Sequence, residues 1–284
     1  MGEVVQLFSN PSAGRHRRRT VARLARALEA RGARVVLSES SSGAPVIADE
    51  ATHVCVAAGD GTVRHVADAV IRAGRNVSMS IYPAGTINLL AREAGYPHEP
   101  ERFADQALSG AAGRHHYPVA MGDGHFFACA GVGPDSRVVA SVSPRLKRTI
   151  GRFAYVVAAL KLAFDWRRDG IVLQTGERTV ACEAFYIAKG RYYAGRWSFA
   201  PQARVEQPVL HVVALRKARR RDYLQFVATI AVARDPSRLA NIEAFTCTKL
   251  EARAATALPV QADGDIVGAL PVTLAVCGVP LTFC

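Results

Sequence analysis

His53-Val54-Cys55-Val56-Ala57-Ala58-Gly59-Asp60-Gly61-Thr62 carries an unbroken apolar run into an aspartate held between two glycines, and Val63, Val66 and Val70 follow at helical spacing. The order is strand, small-residue turn, helix. Glycines let a backbone approach a ligand closely, and the amides of such a turn and of the helix start point at it. That is an anion site, and phosphate is its usual occupant. A carboxylate beside phosphate makes sense if Asp60 holds Mg²⁺ or a sugar hydroxyl. The plainer reading is a turn in which Asp60 caps the helix.

Neighbouring stretches repeat the device. Val4 to Phe8 runs into Asn10-Pro11-Ser12-Ala13-Gly14, and Val21, Leu24, Ala25 and Leu28 then share one helical face. Arg34 to Leu37 leads into Ser38-Glu39-Ser40-Ser41-Ser42-Gly43, and Val77 to Tyr82 into Pro83-Ala84-Gly85-Thr86-Ile87-Asn88. Strands alternating with helices predict a parallel sheet covered on both faces. Its ligands bind outside the carboxyl ends of the strands, where all four loops converge. Thr86 and Asn88 offer a hydroxyl and an amide as further ligands. The chain contains no GxxxxGK[ST], HRD, DFG or GxGxxG, which excludes a Walker loop, a protein-kinase cleft and a dinucleotide fingerprint.

The 284 residues suit two modest domains, and with half of them hydrophobic they exclude a disordered or collagen-like chain. After about Ala112 the texture changes. Strand-like runs come closer together at Phe126–Cys129, Ile171–Leu173, Ala184–Ile187, Leu210–Val213 and Pro271–Val276, with helical stretches near 150–166 and 221–232. A mostly antiparallel second domain is expected over 113–284, after an α/β domain over 1–112, and Leu270 to Cys284 reads as a final strand pair. The six cysteines form no CxxC and the eight histidines no HExxH, so free thiols are expected rather than a protein-held metal. No apolar run reaches the ~20 residues of a membrane span, and no signal peptide is recognisable; a cytoplasmic chain is expected.

Lys and Arg outnumber Asp and Glu by 36 to 24, giving +12, but only five of the 36 are lysine. An arginine and alanine bias of this kind reflects genome base composition as readily as function. Two clusters stand out, Arg15-His16-Arg17-Arg18-Arg19 and Arg216-Lys217-Ala218-Arg219-Arg220-Arg221. They read as solvated faces or as contacts to an anionic membrane surface. No nucleic acid partner is expected, since no interleaved aromatics or known module accompany them.

NPSAG, AGDGT and PAGTINLLA together closely resemble the catalytic domain of diacylglycerol kinases and the bacterial lipid kinases related to them, a domain shared by sphingosine and ceramide kinases. FFACAGVGPDSRVV, IGRFAYVVAALK, RYYAGRWSFAPQA and VQADGDIVGALPV resemble the family's second domain in order and spacing, so the likeness covers nearly the whole chain. It implies an NAD-kinase/diacylglycerol-kinase-like nucleotide-binding domain, a β-sandwich, and ATP with Mg²⁺ in the cleft between them. By this resemblance Asn10, Pro11, Ser12, Ala13, Gly14, Ser40, Ala58, Gly59, Asp60, Gly61, Thr62, Val63, Arg64, Gly85, Thr86 and Asn88 form the nucleotide site. The family's acidic pair, which deprotonates the lipid hydroxyl, falls on Asp263-Gly264-Asp265, with Asp265 as base and Asp263 as its alternative. A surface turn with two solvated carboxylates is the bland reading of that tripeptide.

Three departures from the family pattern matter. Asp265 stands where Glu is usual. Arg64-His65 replaces Asn-Glu after GDGT-x. The acidic residues that support a structural Mg²⁺ in bacterial relatives, one after the Asn of GTxN and one in an Asp-Gly-x-Leu, are here Leu89 and Gln207-Pro208, so no structural Mg²⁺ is expected. Catalytic Mg²⁺ accompanying ATP, near Asp60, remains in the reading.

The expected function is transfer of a phosphoryl group from ATP to the primary hydroxyl of a membrane lipid of diacylglycerol or ceramide/sphingoid type, by an enzyme peripheral to the inner face of the membrane. Arg145–Arg168 is a basic-ended apolar stretch read as core packing with its ends toward headgroups. A soluble NAD-type kinase and a degenerate nucleotide- or lipid-binding regulator are the alternatives. Exposed edge strands in a sandwich would suit a homodimer.

Overall fold

The structure, a computed structural model, describes residues 2–11, 18–40, 44–109, 113–141, 166–176 and 178–284. The chain divides into two compact units, Met1–Tyr117 with Val279–Cys284, and Pro118–Gly278.

Numbered in chain order, the first unit comprises β1 (Val4–Ser9), α1 (Arg18–Glu29), β2 (Arg34–Glu39), β3 (His53–Ala58), α2 (Asp60–Ala73), β4 (Ser78–Pro83), α3 (Leu89–Glu93), α4 (Pro100–Ala107), β5 (Arg114–His116) and the final strand β18 (Leu281–Phe283). Its sheet order is β2-β1-β3-β4-β18-β5. The first four strands and β18 run parallel, and β5 is antiparallel to β18. All six residues of β3 are buried, as a strand covered on both faces requires. Each fully buried valine there contributes about 1.5–3 kcal/mol. On α1 the buried positions Leu24, Ala25, Ala27 and Leu28 form one stripe, and Val63, Val66, Ala67 and Val70 do the same on α2. His53 is a core histidine: Nε2 lies 2.7 Å from Ser80 Oγ and Nδ1 3.0 Å from Ser78 Oγ.

The second unit is antiparallel. Its strands are β6 (Val119–Met121), β7 (Gly124–Phe126), β8 (Cys129–Val132), β9 (Ile171–Thr175), β10 (Arg178–Cys182), β11 (Ala184–Ala188), β12 (Leu210–Leu215), β13 (Ile242–Cys247), β14 (Lys249–Ala254), β15 (Pro259–Ala262), β16 (Asp265–Ala269) and β17 (Val272–Val276). Helix α5 (Pro134–Ser141) follows β8, and α6 (Arg220–Ala231) follows β12. One sheet has the order β10-β9-β14-β17-β6-β7 and the other β13-β12-β11-β8-β15-β16. Phe126, Leu173, Leu250 and Leu274 of the first share a core with Val132, Phe185, Ile187, Val212 and Val260 of the second. This is the expected sandwich. Behind the second sheet Tyr186 stacks on Phe226 of α6 with ring centroids 5.0 Å apart.

Two readings are corrected. Leu270 to Cys284 is not a strand pair. β17 joins a sandwich sheet, whereas β18 crosses to the parallel sheet, where Thr282 pairs with Ser78 of β4 and His115 of β5. The last six residues therefore belong with the first unit, and the contiguous part of that unit ends at Tyr117. Phe126–Cys129 is not one strand either. β7 ends at Phe126, β8 of the other sheet begins at Cys129, and Phe127 and Ala128 make the crossing between sheets. Apolar periodicity marks such a segment as buried but does not tell a strand from a change of sheet.

Candidate active site

Three loops meet at the carboxyl edge of β1, β3 and β4. Asn10 Nδ2 donates to Thr62 Oγ1 at 3.0 Å, tying the first loop to the start of α2. Gly59, extended at φ −90°, ψ 171°, precedes that helix without any side-chain cap. The first-turn amides of α2 before Val63 have no intrahelical partner. Gly59 and Gly85 are in backbone contact: a Cβ on Gly85 would stand 2.4 Å from Gly59 Cα. Thr86, next in the chain, is exposed.

Asn88 closes its own loop. Its Oδ1 accepts from Gly85 N at 2.7 Å and its Nδ2 donates to Gly85 O at 3.0 Å, with the residue left-handed at φ 55° and 8% exposed. The side chain expected as a ligand is thus spent on shaping the turn. Asp60 reaches the N-terminus of α3, where its Oδ1 accepts from Leu90 N at 3.4 Å. Burial raises its pKa, and backbone hydrogen bonds from Leu90, Leu89 and Asn88 oppose that rise only in part. Ala58 and Val63 are buried in the core, so they can serve a ligand through backbone alone. Ser40 is half-buried, its N–H bonded to Ser9 O, and Pro11 is exposed. Arg64 is half-buried and His65 exposed. Ser12, Ala13, Gly14 and most of the 15–19 basic cluster lie outside the described residues, as does most of 145–168.

This donor set fits a phosphate chain that brings its own hard cation. Uncapped helix amides and glycine backbone suit phosphate oxygens, and the Asp60 carboxylate and Thr62 hydroxyl are oxygen donors of the kind Mg²⁺ takes. A cation beside Asp60 would also restore the charged form that burial disfavours. Among the described residues no group of three or more His, Cys, Asp or Glu is placed to hold a metal without such help.

In the second unit β15 and β16 join through Asp263-Gly264, with Ala262 opposite Asp265. Both turn residues have positive φ, 49° and 89°, as a two-residue type I′ hairpin requires, and Asp-Gly is a preferred pair for it. Asp263 is 5% exposed. Its Oδ2 accepts from Phe127 N at 2.8 Å, and its Oδ1 from Ala128 N at 2.8 Å and Cys129 N at 3.1 Å. The carboxylate thus holds the crossing between sheets. Asp265 lies half-buried on the far side of the turn.

Two residues near this turn carried no signal strong enough to single them out. Asp135 of α5 is buried, with Oδ2 3.3 Å from Tyr193 OH and 3.5 Å from Gln261 Nε2, and Gln261 Oε1 accepts from Gly264 N at 3.2 Å. Burial pushes Asp135 up to about 6. Lys189 interrupts the apolar run Ala184-Phe185-Tyr186-Ile187-Ala188 and is 0% exposed. A lysine closing a buried strand was the available clue.

Fold and site together define an α/β unit with a loop cluster at the carboxyl edge of its parallel sheet, joined to an antiparallel sandwich that carries an acidic turn. The diacylglycerol kinase catalytic domain matches residues 4–118, and the YegS C-terminal NAD kinase beta sandwich-like domain matches residues 128–283. The chain belongs to this diacylglycerol kinase-like, YegS-type family. It is 34% identical over 172 residues to a protein of Pseudomonas aeruginosa named "Probable lipid kinase YegS-like", a match covering 55% of this chain and 52% of that one. The matched stretch thus spans about half the length of that relative. The diacylglycerol kinase of Bacillus subtilis is 23% identical over 251 residues, covering 82% of this chain and 81% of its own. A crystal structure of a diacylglycerol kinase from Bacillus anthracis superposes with TM-score 0.75 at 14% identity, over 99% of this chain and 96% of that one, which is a likeness of fold.

Proposed function

We propose that the chain is an ATP-dependent lipid kinase acting on the primary hydroxyl of a diacylglycerol- or ceramide/sphingoid-type lipid. The observation that carries this reading is the division of labour between Asp263 and Asp265. The Asp263 carboxylate accepts three backbone hydrogen bonds inside the fold, whereas Asp265, two residues on across the turn, is only half-buried. An alcohol is a poor nucleophile, so phosphoryl transfer is accelerated mainly by alignment and charge stabilisation. Asp265 takes the hydroxyl proton as the acceptor oxygen bonds to the γ-phosphorus and the bond to the ADP oxygen breaks. The Asn10 and Gly59–Thr62 loops and Thr86 hold the nucleotide phosphates, with Gly85 letting its loop come close to Gly59. Asp60 and Thr62 would hold a Mg²⁺ carried with ATP, which would supply neutralisation of phosphate charge.

The exposed Arg216, Lys217, Arg220 and Arg221 give the second unit a basic edge for anionic headgroups, each charge worth up to ~1 kcal/mol at a membrane surface. Arg216 shares its charge with Glu243 at 3.2 Å. In this reading the enzyme works from the cytoplasm at the inner face of the membrane. Among the described residues no helix is long and apolar enough to cross one.

The test is phosphate transfer from labelled ATP with Mg²⁺ to diacylglycerol, ceramide, sphingosine and monoacylglycerol in mixed micelles, with NAD as soluble control. One labelled lipid is the expected result and names the acceptor. Label in NAD alone replaces the lipid reading with an NAD-type kinase. ATP binding without any transfer replaces it with a nucleotide-binding regulator.

A further inference from the structure

Lys189 stands at the end of β11, fully buried, and its ammonium is enclosed by backbone carbonyls of one loop: Val205 O at 2.8 Å, Gln207 O at 2.5 Å and Arg204 O at 3.5 Å. Burial disfavours the charged form of a lysine unless hydrogen bonds offset the lost water. Three carbonyls converging on one nitrogen are the arrangement that retains the charge, because each ammonium N–H finds an acceptor. His211 feels that charge: its pKa is lowered, first by burial and then by Lys189 and Arg204.

This loop, ending at Gln207-Pro208, is where the family resemblance implies a structural Mg²⁺. The residues present do not fit that ion. Gln207 brings an amide instead of a carboxylate, and its Oε1 lies 3.4 Å from His211 Nε2. Leu89, at the other implied position, is a buried apolar side chain of α3. The backbone oxygens that remain are already taken by an ammonium.

The loop is also linked to the acidic turn through few bonds. Lys189 N and Gly190 N both donate to Ala128 O, at 2.9 and 3.2 Å. Ala128 N donates to Asp263 Oδ1 at 2.8 Å, and Asp263 N returns to Cys129 O at 2.9 Å. We propose that Lys189 is a tethered cation that replaces the family's structural metal, closing the 204–207 loop and, through Ala128 and Asp263, positioning the Asp265 turn without a divalent ion. Its positioning part rests on the reading of Asp265 as base; its metal-replacing part does not.

The experiment is a set of thermal melts in EDTA and in millimolar MgCl₂, with no lipid or nucleotide present. Wild-type protein is expected to melt at the same temperature in both, and a fall in EDTA would overturn the proposal. Lys189→Met keeps the length of the side chain and removes the charge; it is expected to melt several degrees lower, and melting like wild type would count against the cation. The deciding variant is Lys189→Ser combined with Gln207→Asp, which empties the nest and restores a carboxylate. Its melting temperature is expected to rise with MgCl₂ to a plateau, and indifference to Mg²⁺ overturns the equivalence of ammonium and metal. Kinetics of Lys189→Met address positioning: kcat falls while KM for ATP holds. An unchanged kcat removes that role, and neither result alters the melts.

Discussion

Gly85 faces Gly59 across the carboxyl edge of the parallel sheet with no room for a methyl group, since a Cβ there would stand 2.4 Å from Gly59 Cα and 2.6 Å from Asn88 Oδ1. Neither neighbour can yield cheaply, because one is backbone and the other closes the loop by two hydrogen bonds to Gly85 itself. Gly85→Ala therefore pushes the β4–α3 loop away from the start of α2. The expected cost is about 1–3 kcal/mol of stability, as for other overpacked sites, with a marked loss of ATP affinity. Thermal melting and ATP titration check the two effects. A variant that binds ATP normally would separate this loop from the nucleotide site.

Asp60 gives a second prediction, in which stability and function move apart. Its folded pKa is raised by burial, so the folded state binds its proton more tightly than the unfolded chain. The stabilising contribution of that proton is present at low pH and is lost as pH rises through the folded pKa. At neutral pH the buried carboxylate is then a liability in the absence of ligand. Asp60→Asn is expected to leave the melting temperature of the ligand-free protein unchanged or higher at pH 7.5, and to weaken Mg·ATP binding. Calorimetric titration beside a melt tests both; unaltered ATP affinity would undo the assignment of Asp60 to the phosphate site.

The first unit could be read nearly whole because its signals are local. β1, β3 and β4 are buried along almost their whole length and run into glycine, proline or asparagine, so apolar runs and their punctuation mark these strands and the loops after them. Convergence of those loops follows from the parallel arrangement alone. What could not be read depends on pairing between distant residues. β18 leaves the sandwich for the parallel sheet because Thr282 and Phe283 find Ser78 and Met79, and no pattern within 270–284 encodes that. The burial of Asp263 depends on three amides more than 130 residues earlier, so the tripeptide alone does not tell its two carboxylates apart. The sequence marks Asn88 as a candidate ligand, but the direction of its side chain is set by φ 55° and by Gly85. Lys189 looks like a stray charge until the 204–207 carbonyls are seen around it.

The two aspartates of the hairpin should separate cleanly on substitution. Asp265→Asn removes the proton acceptor and leaves the Asp263 anchors intact. Transfer is expected to fall by the 10²–10⁴-fold typical of a lost general base, with ATP binding and melting temperature close to wild type. Asp263→Ala strands the amides of Phe127, Ala128 and Cys129 in the interior. Each orphaned amide costs about 1–3 kcal/mol, so this variant is expected to lose stability first and activity as a consequence. If Asp263→Ala melted normally while losing transfer, it would take over as the base.

Asp135 offers the sharpest pH dependence in the second unit. It lies beside Tyr193 and Gln261, and burial pushes its carboxyl up from 3.8 to about 6. Between those two values the folded state holds a proton that the unfolded chain has released, so stability falls as pH climbs through this window and stays lower above it. A shift of this size corresponds to about 3 kcal/mol. Asp135→Asn is neutral at every pH and similar in shape, which removes the cost of burying a carboxylate. Relative to wild type the variant is expected to melt several degrees higher at pH 7.5, with the advantage shrinking toward zero by pH 4. Melting curves of both proteins across that range make the test. A difference that stays constant with pH would show that Asp135 keeps the same protonation state in the folded and unfolded chains.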